Sequence, residues 1–200
     1  MINLKFGDST IQLKHKWSEV TLHDYVVLNS INADSDLSDL EKTISILTHL
    51  SNDENIMHDC LMSIGANELN TIVEKMEITS TPLTSIQPPT EQKTEFEIDG
   101  KNYRIKEEFN SLSLETMVNI ETILKKSPTS NPTLIAFGVL IREVNENGKL
   151  KAFSEKNYEF IVNELSKKIK LLDIYHYTLG FTNGVSKSTE TFPAFSMEIL

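Results

Sequence analysis

Three potential metal ligands, His49, His58 and Cys60, lie within twelve residues of one another. Zinc sites usually take their ligands from short motifs such as CxxC or HExxH, and neither motif occurs here. Cys60 falls at a position that a helix would bury, which is typical of a small apolar side chain. These residues therefore do not predict a metal site.

Asp34, Asp36 and Asp39 resemble the first ligands of a calcium-binding loop in their spacing. Such a loop also needs a glycine at its sixth position and a bidentate glutamate at its twelfth. The sixth position is not glycine and the twelfth is Ser45. This pattern indicates a solvated loop that precedes a helix.

Nucleophilic and phosphate-binding chemistry also lacks its usual motifs. The sequence has no GxSxG elbow and no glycine-rich loop, and it contains only 7 glycines. His176, between Tyr175 and Tyr177, is the one histidine with aromatic neighbours in sequence, and a hydrogen-bonded core residue is a commoner role than a base in such a setting. We therefore predict no catalytic, cofactor-binding or metal-binding residues. An enzyme with an unrecognised site is the least favoured hypothesis.

Two stretches of alternating apolar residues predict β-hairpins. The first, INLKFGDSTIQLK, turns at Gly7-Asp8, and the second, EFEIDGKNYRIK, turns at Asp99-Gly100. Asp-Gly between alternating strands is a strong hairpin signal because the turn requires positive φ. An isolated hairpin is only marginally stable, so each must pack against other elements.

A helix start follows each hairpin, with a hydroxyl residue at the cap: Thr21-Leu-His-Asp24 and Ser113-Leu-Glu-Thr116. Placing Leu22 over Leu114 gives a register of 92 residues that holds without a gap for about 28 residues, from the hairpin into the helix. Few residues are identical, so the hydrophobic pattern is what repeats. We interpret this as an internal duplication.

One aromatic residue stands between strand and helix in each copy, Trp17 in the first and Phe109 in the second. A large ring at this point can close the open end of a small core. We predict that both are structural plugs and not ligand-stacking residues.

Further helix signals follow in both halves. They are the capping box Ser38-Asp-Leu-Glu41 ahead of Leu40, Ile44 and Leu47, the Asn131-Pro132 start, and a helix that begins at Ser154 and continues towards Ile174. The predicted fold class is α+β and mostly helical, with two related modules of a short β-hairpin followed by three to four helices. The predicted domains are an N-terminal module (1–78), a Pro/Thr/Ser linker (79–95), a C-terminal module (96–182) and a tail (183–200).

The net charge of −10 is concentrated in the first half. Residues 1–95 carry 6 Lys/Arg and 15 Asp/Glu, whereas residues 96–200 carry 13 and 14. An acidic surface opposes binding to phosphate backbones, so we predict no nucleic-acid partner. No apolar run is long enough to span a bilayer and the first residues lack a signal pattern, which predicts no membrane association and a cytosolic location.

The predicted tail contains five apolar residues: Phe192, Phe195, Met197, Ile199 and Leu200. Two interpretations remain open. The tail folds back on the core of its own chain, or it is a docking peptide for another subunit. These five residues are the candidate partner-binding residues.

The order of hairpin (FEIDGKNYRIK), Thr-Leu helix (TLHDYVVL), paired helices, proline-rich linker and second copy resembles small assembly proteins of tailed bacteriophages. It is similar in outline to the tail assembly chaperone and baseplate-hub assembly families, although their usual members have one copy. The resemblance covers most of residues 2–77 and the start of the second half, and it fixes no individual functional position.

The resemblance implies a non-enzymatic structural or assembly protein at the tail, baseplate or neck of a virion. Its partners would be other virion proteins in a ring or oligomeric assembly. It would reside in the host cytoplasm during assembly and then in the virion. The alternative is a cytosolic adaptor or regulator, a tail assembly chaperone or host-protein binder, that is absent from the mature particle.

Overall fold

The computed structural model describes residues 1–87, 89, 93–107, 111–126, 131–175 and 177. The fold is α+β and mostly helical, which confirms the predicted fold class. The chain divides into two compact units. Unit 1 is Met1–Pro88 with Lys170–Leu172, and unit 2 is Pro89–Ile169 with Asp173–Leu200. In the described ranges, no helix combines the length and the apolar character needed to cross a membrane.

Unit 1 opens with a two-stranded antiparallel sheet followed by helices. Its elements are β1 (Ile2–Phe6), β2 (Ser9–Leu13), α1 (Leu22–Ala33), α2 (Asp39–His49), α3 (Glu54–Ser63), α4 (Ala66–Glu74) and the single-turn α5 (Glu77–Ser80). Two 3-10 turns, Trp17–Glu19 and Leu83–Ser85, complete the unit. Leu83 is buried, so the first part of the segment predicted as a linker contributes to the interior.

Unit 2 repeats this plan with one more strand. Its elements are β3 (Glu95–Ile98), β4 (Lys101–Ile105), α6 (Leu114–Lys126), α7 (Pro132–Leu140), β5 (Ile141–Glu143) and α8 (Glu155–Asn163). The sheet order is β3-β4-β5, and both pairings are antiparallel. The core of this unit is apolar side chains from α6 and α7, namely Ile120, Ile123, Ile135, Ala136 and Val139.

The turn at Asp99-Gly100 has the geometry that its sequence predicts. Ile98 pairs with Lys101, which leaves a two-residue loop, and φ is +53° at Asp99 and +72° at Gly100. Positive φ at both central residues defines the type I′ turn, whose twist matches that of the strands. The turn chemistry therefore fixes the register of β3 against β4.

Both units join the hairpin to the second helix by the same hydrogen bond. The backbone N–H of Lys14 donates to the Leu50 carbonyl just after α2 (3.0 Å), and that of Lys106 donates to the Leu140 carbonyl at the end of α7 (2.9 Å). The two lysines are 92 residues apart, in the predicted register. The repeat is therefore visible in tertiary hydrogen bonds as well as in hydrophobic pattern.

The third strand of unit 2 was not predicted from the sequence. Ile141 and Arg142 pair with Ile105 and Arg104. Unit 1 has only an isolated bridge between Leu13 and Ser51 at the corresponding place. Ile141 continues the apolar run TLIAFGVLI, so its departure from the helix has no local signal.

The helix predicted from Ser154 towards Ile174 is shorter than expected. It begins as predicted, with Ser154 Oγ accepting from Asn157 N–H, but α8 ends at Asn163. The chain continues as the 3-10 turns Leu165–Lys167 and Leu171–Ile174. Leu171 N–H donates to the Val20 carbonyl (2.9 Å), so a tertiary bond replaces a helical one.

The predicted helix caps are otherwise confirmed. Thr21 and Ser38 each accept from the backbone N–H three residues on, at Asp24 and Glu41, whose carboxylates accept in return from the cap residue's N–H. Each such cap satisfies donors that the first helical turn leaves unpaired.

Candidate functional site

The structure describes only some of the residues that the sequence singles out. Trp17 is buried in unit 1, and its indole N–H donates to the Thr81 carbonyl at 2.8 Å. Buried indoles usually find such a partner, so this geometry suits an interior anchor. Phe109, His176 and the five tail residues lie outside the described residues.

Cys60 and His58 do not come together with His49 as a metal site. Cys60 is buried, and burial raises the pKa of its thiol. Within the described residues, no group of three or more His, Cys, Asp or Glu side chains is arranged to hold a metal ion.

A polar cluster that the sequence did not predict surrounds Asp24, near the start of α1. Its Oδ2 accepts from Lys14 Nζ (2.7 Å) and from the Thr21 backbone N–H (2.8 Å). His49 Nε2 lies 3.2 Å from Oδ1. The Asp24 side chain is only 6% exposed, whereas those of His49 and Lys14 are 17% and 28% exposed. We call these four residues the Asp24 cluster.

The Asp24 cluster holds its carboxylate in the charged form. Burial opposes ionisation, but hydrogen bonds from Lys14 and Thr21, together with the His49 imidazole 3.2 Å from Oδ1, outweigh burial and hold the pKa of Asp24 well below its usual range. The geometry therefore assigns Asp24 to capping α1 and to binding Lys14.

In unit 2, a carboxylate from a different position accepts the hydrogen bonds at the start of the corresponding helix, α6. The carboxylate of Glu107 accepts from the Ser113 N–H (2.7 Å) and hydroxyl (2.7 Å), and Lys106 Nζ lies 3.1 Å from it. Burial opposes ionisation of Glu107, but these hydrogen bonds lower its pKa to about 2. In the 92-residue register, Glu107 corresponds to His15 and not to Asp24, so the two copies cap equivalent helices with carboxylates from different positions.

His49 also lines an open groove between α2 and α3, with a volume of about 620 Å³. We call it the α2/α3 groove. Its lining residues are Leu37, Leu40, Glu41, Ile44, Ser45, Thr48, His49, Glu54, His58 and Met62. The three lining residues from α3, Glu54, His58 and Met62, are spaced four apart, so one face of α3 forms one wall of the groove.

Apolar side chains are unusually exposed in the α2/α3 groove. Leu40 is 57% exposed and Met62 is 65% exposed. The sequence placed Leu40 on the core stripe of α2 with Ile44 and Leu47, but only Leu47 of these is fully buried. The stripe is therefore divided, with Leu47 in the core and Leu40 and Ile44 along the groove.

Charge at the α2/α3 groove has one sign. Glu41 and Glu54 are exposed in its lining, which contains no lysine or arginine. Exposed apolar groups together with carboxylates suit an apolar segment that also carries basic residues, in the manner of a helix or peptide docking in a groove.

Comparisons with other proteins add no assignment to this geometry. No protein-family model matches the chain, and neither the curated proteins nor the solved structures gave a match.

Proposed function

We propose that this chain is a non-enzymatic structural or assembly protein of a tailed bacteriophage, acting through protein–protein contacts at the tail, baseplate or neck of the virion. The α2/α3 groove is the observation that carries the interaction role. It is open, and its lining exposes both apolar side chains and carboxylates. The phage assignment rests on the resemblance in element order.

The proposed partners are other virion proteins in a ring or oligomeric assembly. Their contacting segment carries both apolar side chains and Lys or Arg, because the groove presents Leu40 and Met62 together with Glu41 and Glu54. The acidic first half disfavours DNA as the partner. We propose that the protein resides in the host cytoplasm during assembly and then in the virion.

Two measurements test the location. Quantitative mass spectrometry of purified particles gives the copy number per virion, and native mass spectrometry of the protein expressed alone gives its own oligomeric state. A fixed copy number in the particle supports a structural role. Absence from the particle, with a discrete complex in the host, supports the alternative of an assembly chaperone or regulator.

A groove variant tests the interaction surface. Leu40→Glu with Met62→Glu adds two carboxylates to exposed positions, so the fold is retained while docking is opposed. In a phage that lacks its own copy, we expect this variant to lower the yield of assembled particles by at least about tenfold. The matched control, Asn55→Glu with Asn70→Glu, adds the same charge to exposed positions outside the groove lining. Equal yields from both variants would contradict a role for the groove.

A further inference from the structure

The start of α6 exposes an apolar face that its counterpart in unit 1 buries. Leu22 and Val26 on α1 are 1% and 5% exposed. Their equivalents in the 92-residue register, Leu114 and Val118 on α6, are 77% and 50% exposed. These two residues are four apart and so lie on the same side of the helix. We call them the α6 face.

Unit 1 contains a chain segment that lies beside the start of α1. Lys170 forms an antiparallel bridge with Thr21, and its Nζ donates to the Glu19 carbonyl (2.9 Å). Leu171 N–H donates to the Val20 carbonyl, and the Leu171 side chain is completely buried.

No equivalent segment lies beside α6 in the described residues. The counterpart of Val20 is Leu112, and no backbone N–H of the described chain donates to the Leu112 carbonyl. Leu112 is itself only partly buried against the core. The α6 face and this carbonyl together form a position suited to an extended apolar segment.

An extended segment that covers an apolar face has a sequence signature. An extended strand with alternating apolar and polar residues presents its apolar side chains to one face and its polar ones to the other. An occupant of the α6 face should show the same alternation.

The tail of this chain carries that signature. Residues 195–199 read Phe-Ser-Met-Glu-Ile, with apolar side chains at every second position. We propose that residues 192–200 dock in extended form on the α6 face of their own chain, and that a backbone N–H of the tail donates to the Leu112 carbonyl. This proposal is independent of the phage assignment.

Length and charge both favour this occupant. Residues 178–191 connect Tyr177 of unit 2 to the docking segment and span up to about 45–50 Å when extended, whereas a unit of this size is about 30 Å across. Tethering raises the effective concentration of the tail above that of a second copy. The tail from residue 178 carries one lysine and two glutamates, so the glutamates that line the α2/α3 groove disfavour it there.

Cross-linking of the full-length chain tests the proposal. With Cys60→Ser as background, Met197→Cys is combined with Leu114→Cys on the α6 face. Two controls replace the second position: Lys125→Cys near the other end of α6, about 17 Å away along the helix, and Met62→Cys in the α2/α3 groove. We expect a bismaleimide to form the intramolecular 114–197 product at least about tenfold faster than either control.

A second substitution separates docking from random collisions. Phe195→Ser with Ile199→Ser, added to the 114–197 pair, should slow cross-linking to the control rate, because these side chains supply the apolar contact. Equal rates for all three pairs, or faster reaction at position 62, would overturn the proposal. Covalent dimers in place of the intramolecular product would show that a second copy is the occupant, which also overturns docking within one chain.

Discussion

Removal of the Asp24 carboxylate provides the sharpest test of how unit 1 is held together. Asp24→Ala leaves the Thr21 backbone N–H and Lys14 Nζ without the oxygen that each contacts at 2.8 Å and 2.7 Å. A hydrogen bond to a charged group contributes about 1.5–3 kcal/mol, and the capping arrangement contributes about 1 kcal/mol. Since Lys14 is partly solvated, we expect the free energy of unfolding to fall by about 3–4 kcal/mol.

Asp24→Asn should cost less, about 1–2 kcal/mol. It retains one oxygen that can accept from Thr21 N–H and Lys14, and it places an amide nitrogen against His49 Nε2, which now lies 3.2 Å from the carboxylate. The remaining cost is the lost charge opposite Lys14. The order wild type, Asp24→Asn, Asp24→Ala is therefore part of the prediction.

The assay is urea denaturation followed by tryptophan fluorescence. Trp17 is the only tryptophan in the sequence and is buried in unit 1, so its signal reports on that unit. Asp59→Ala serves as control because Asp59 is 82% exposed, and we expect a change within about 0.5 kcal/mol. If the free energy of unfolding of Asp24→Ala lies within about 1 kcal/mol of the wild-type value, the cluster does not stabilise the unit and the reasoning is refuted.

Two further predictions concern unit 2. Gly138→Ala should lower stability by about 1–3 kcal/mol in a denaturation experiment monitored by circular dichroism, because the added Cβ would lie 2.6 Å from Tyr158 Cδ2. Gly65→Ala is the control, since its Cβ would meet only Glu68 Oε2 at 3.6 Å. Glu107 has a pKa of about 2 in the folded protein, against an ordinary value of 4.5. Its contribution to the free energy of unfolding is therefore complete above the pKa of the unfolded state, and it is lost as the pH falls towards the pKa of the folded state. Glu107→Gln should therefore flatten the decline of the urea midpoint between about pH 5 and about pH 2; an unchanged decline would contradict this assignment.

Local chemistry explains which parts of the fold were predictable. Asp99-Gly100 determines its own turn, and the Thr21 and Ser38 caps need only residues within one helical turn. The 92-residue register was visible because it repeats such local patterns. These elements could be predicted because neither their type nor their limits depend on a distant partner.

The elements that were missed depend on distant contacts. Ile141 leaves an apolar run to become a strand because β4 offers it an edge. The helix expected to continue towards Ile174 ends early, where Leu171 bonds to Val20. Periodicity carries no information on either partner, so the sequence predicted helix in both places.

The candidate site was only partly predictable for the same reason. The sequence places Asp24 in the first turn of a capped helix, but Lys14 and His49 approach it from the end of β2 and from α2. Leu40 fits a core stripe by spacing, and only the packing of α2 against α3 leaves it at the surface. The acidic residues beside Leu40 in the sequence were a signal of its exposure, because they suit a surface position better than a core.

The two copies of the repeat expose different faces. In unit 1 the α2/α3 groove is open and the start of α1 is buried. Aligning the Leu50 and Leu140 carbonyls makes Gly138 of unit 2 the counterpart of Thr48 in unit 1. The Tyr158 ring of α8 packs directly over Gly138.

Tyr158 therefore covers in unit 2 the helix position that corresponds to the groove residue Thr48 in unit 1, while Leu114 and Val118 are exposed where Leu22 and Val26 are buried. A duplication that served only to bind two equivalent sites on a ring would expose the same face twice. Because the exposed faces differ, the copies are suited to two different contacts: an acidic groove for a partner, and an apolar helix face for the chain's own tail.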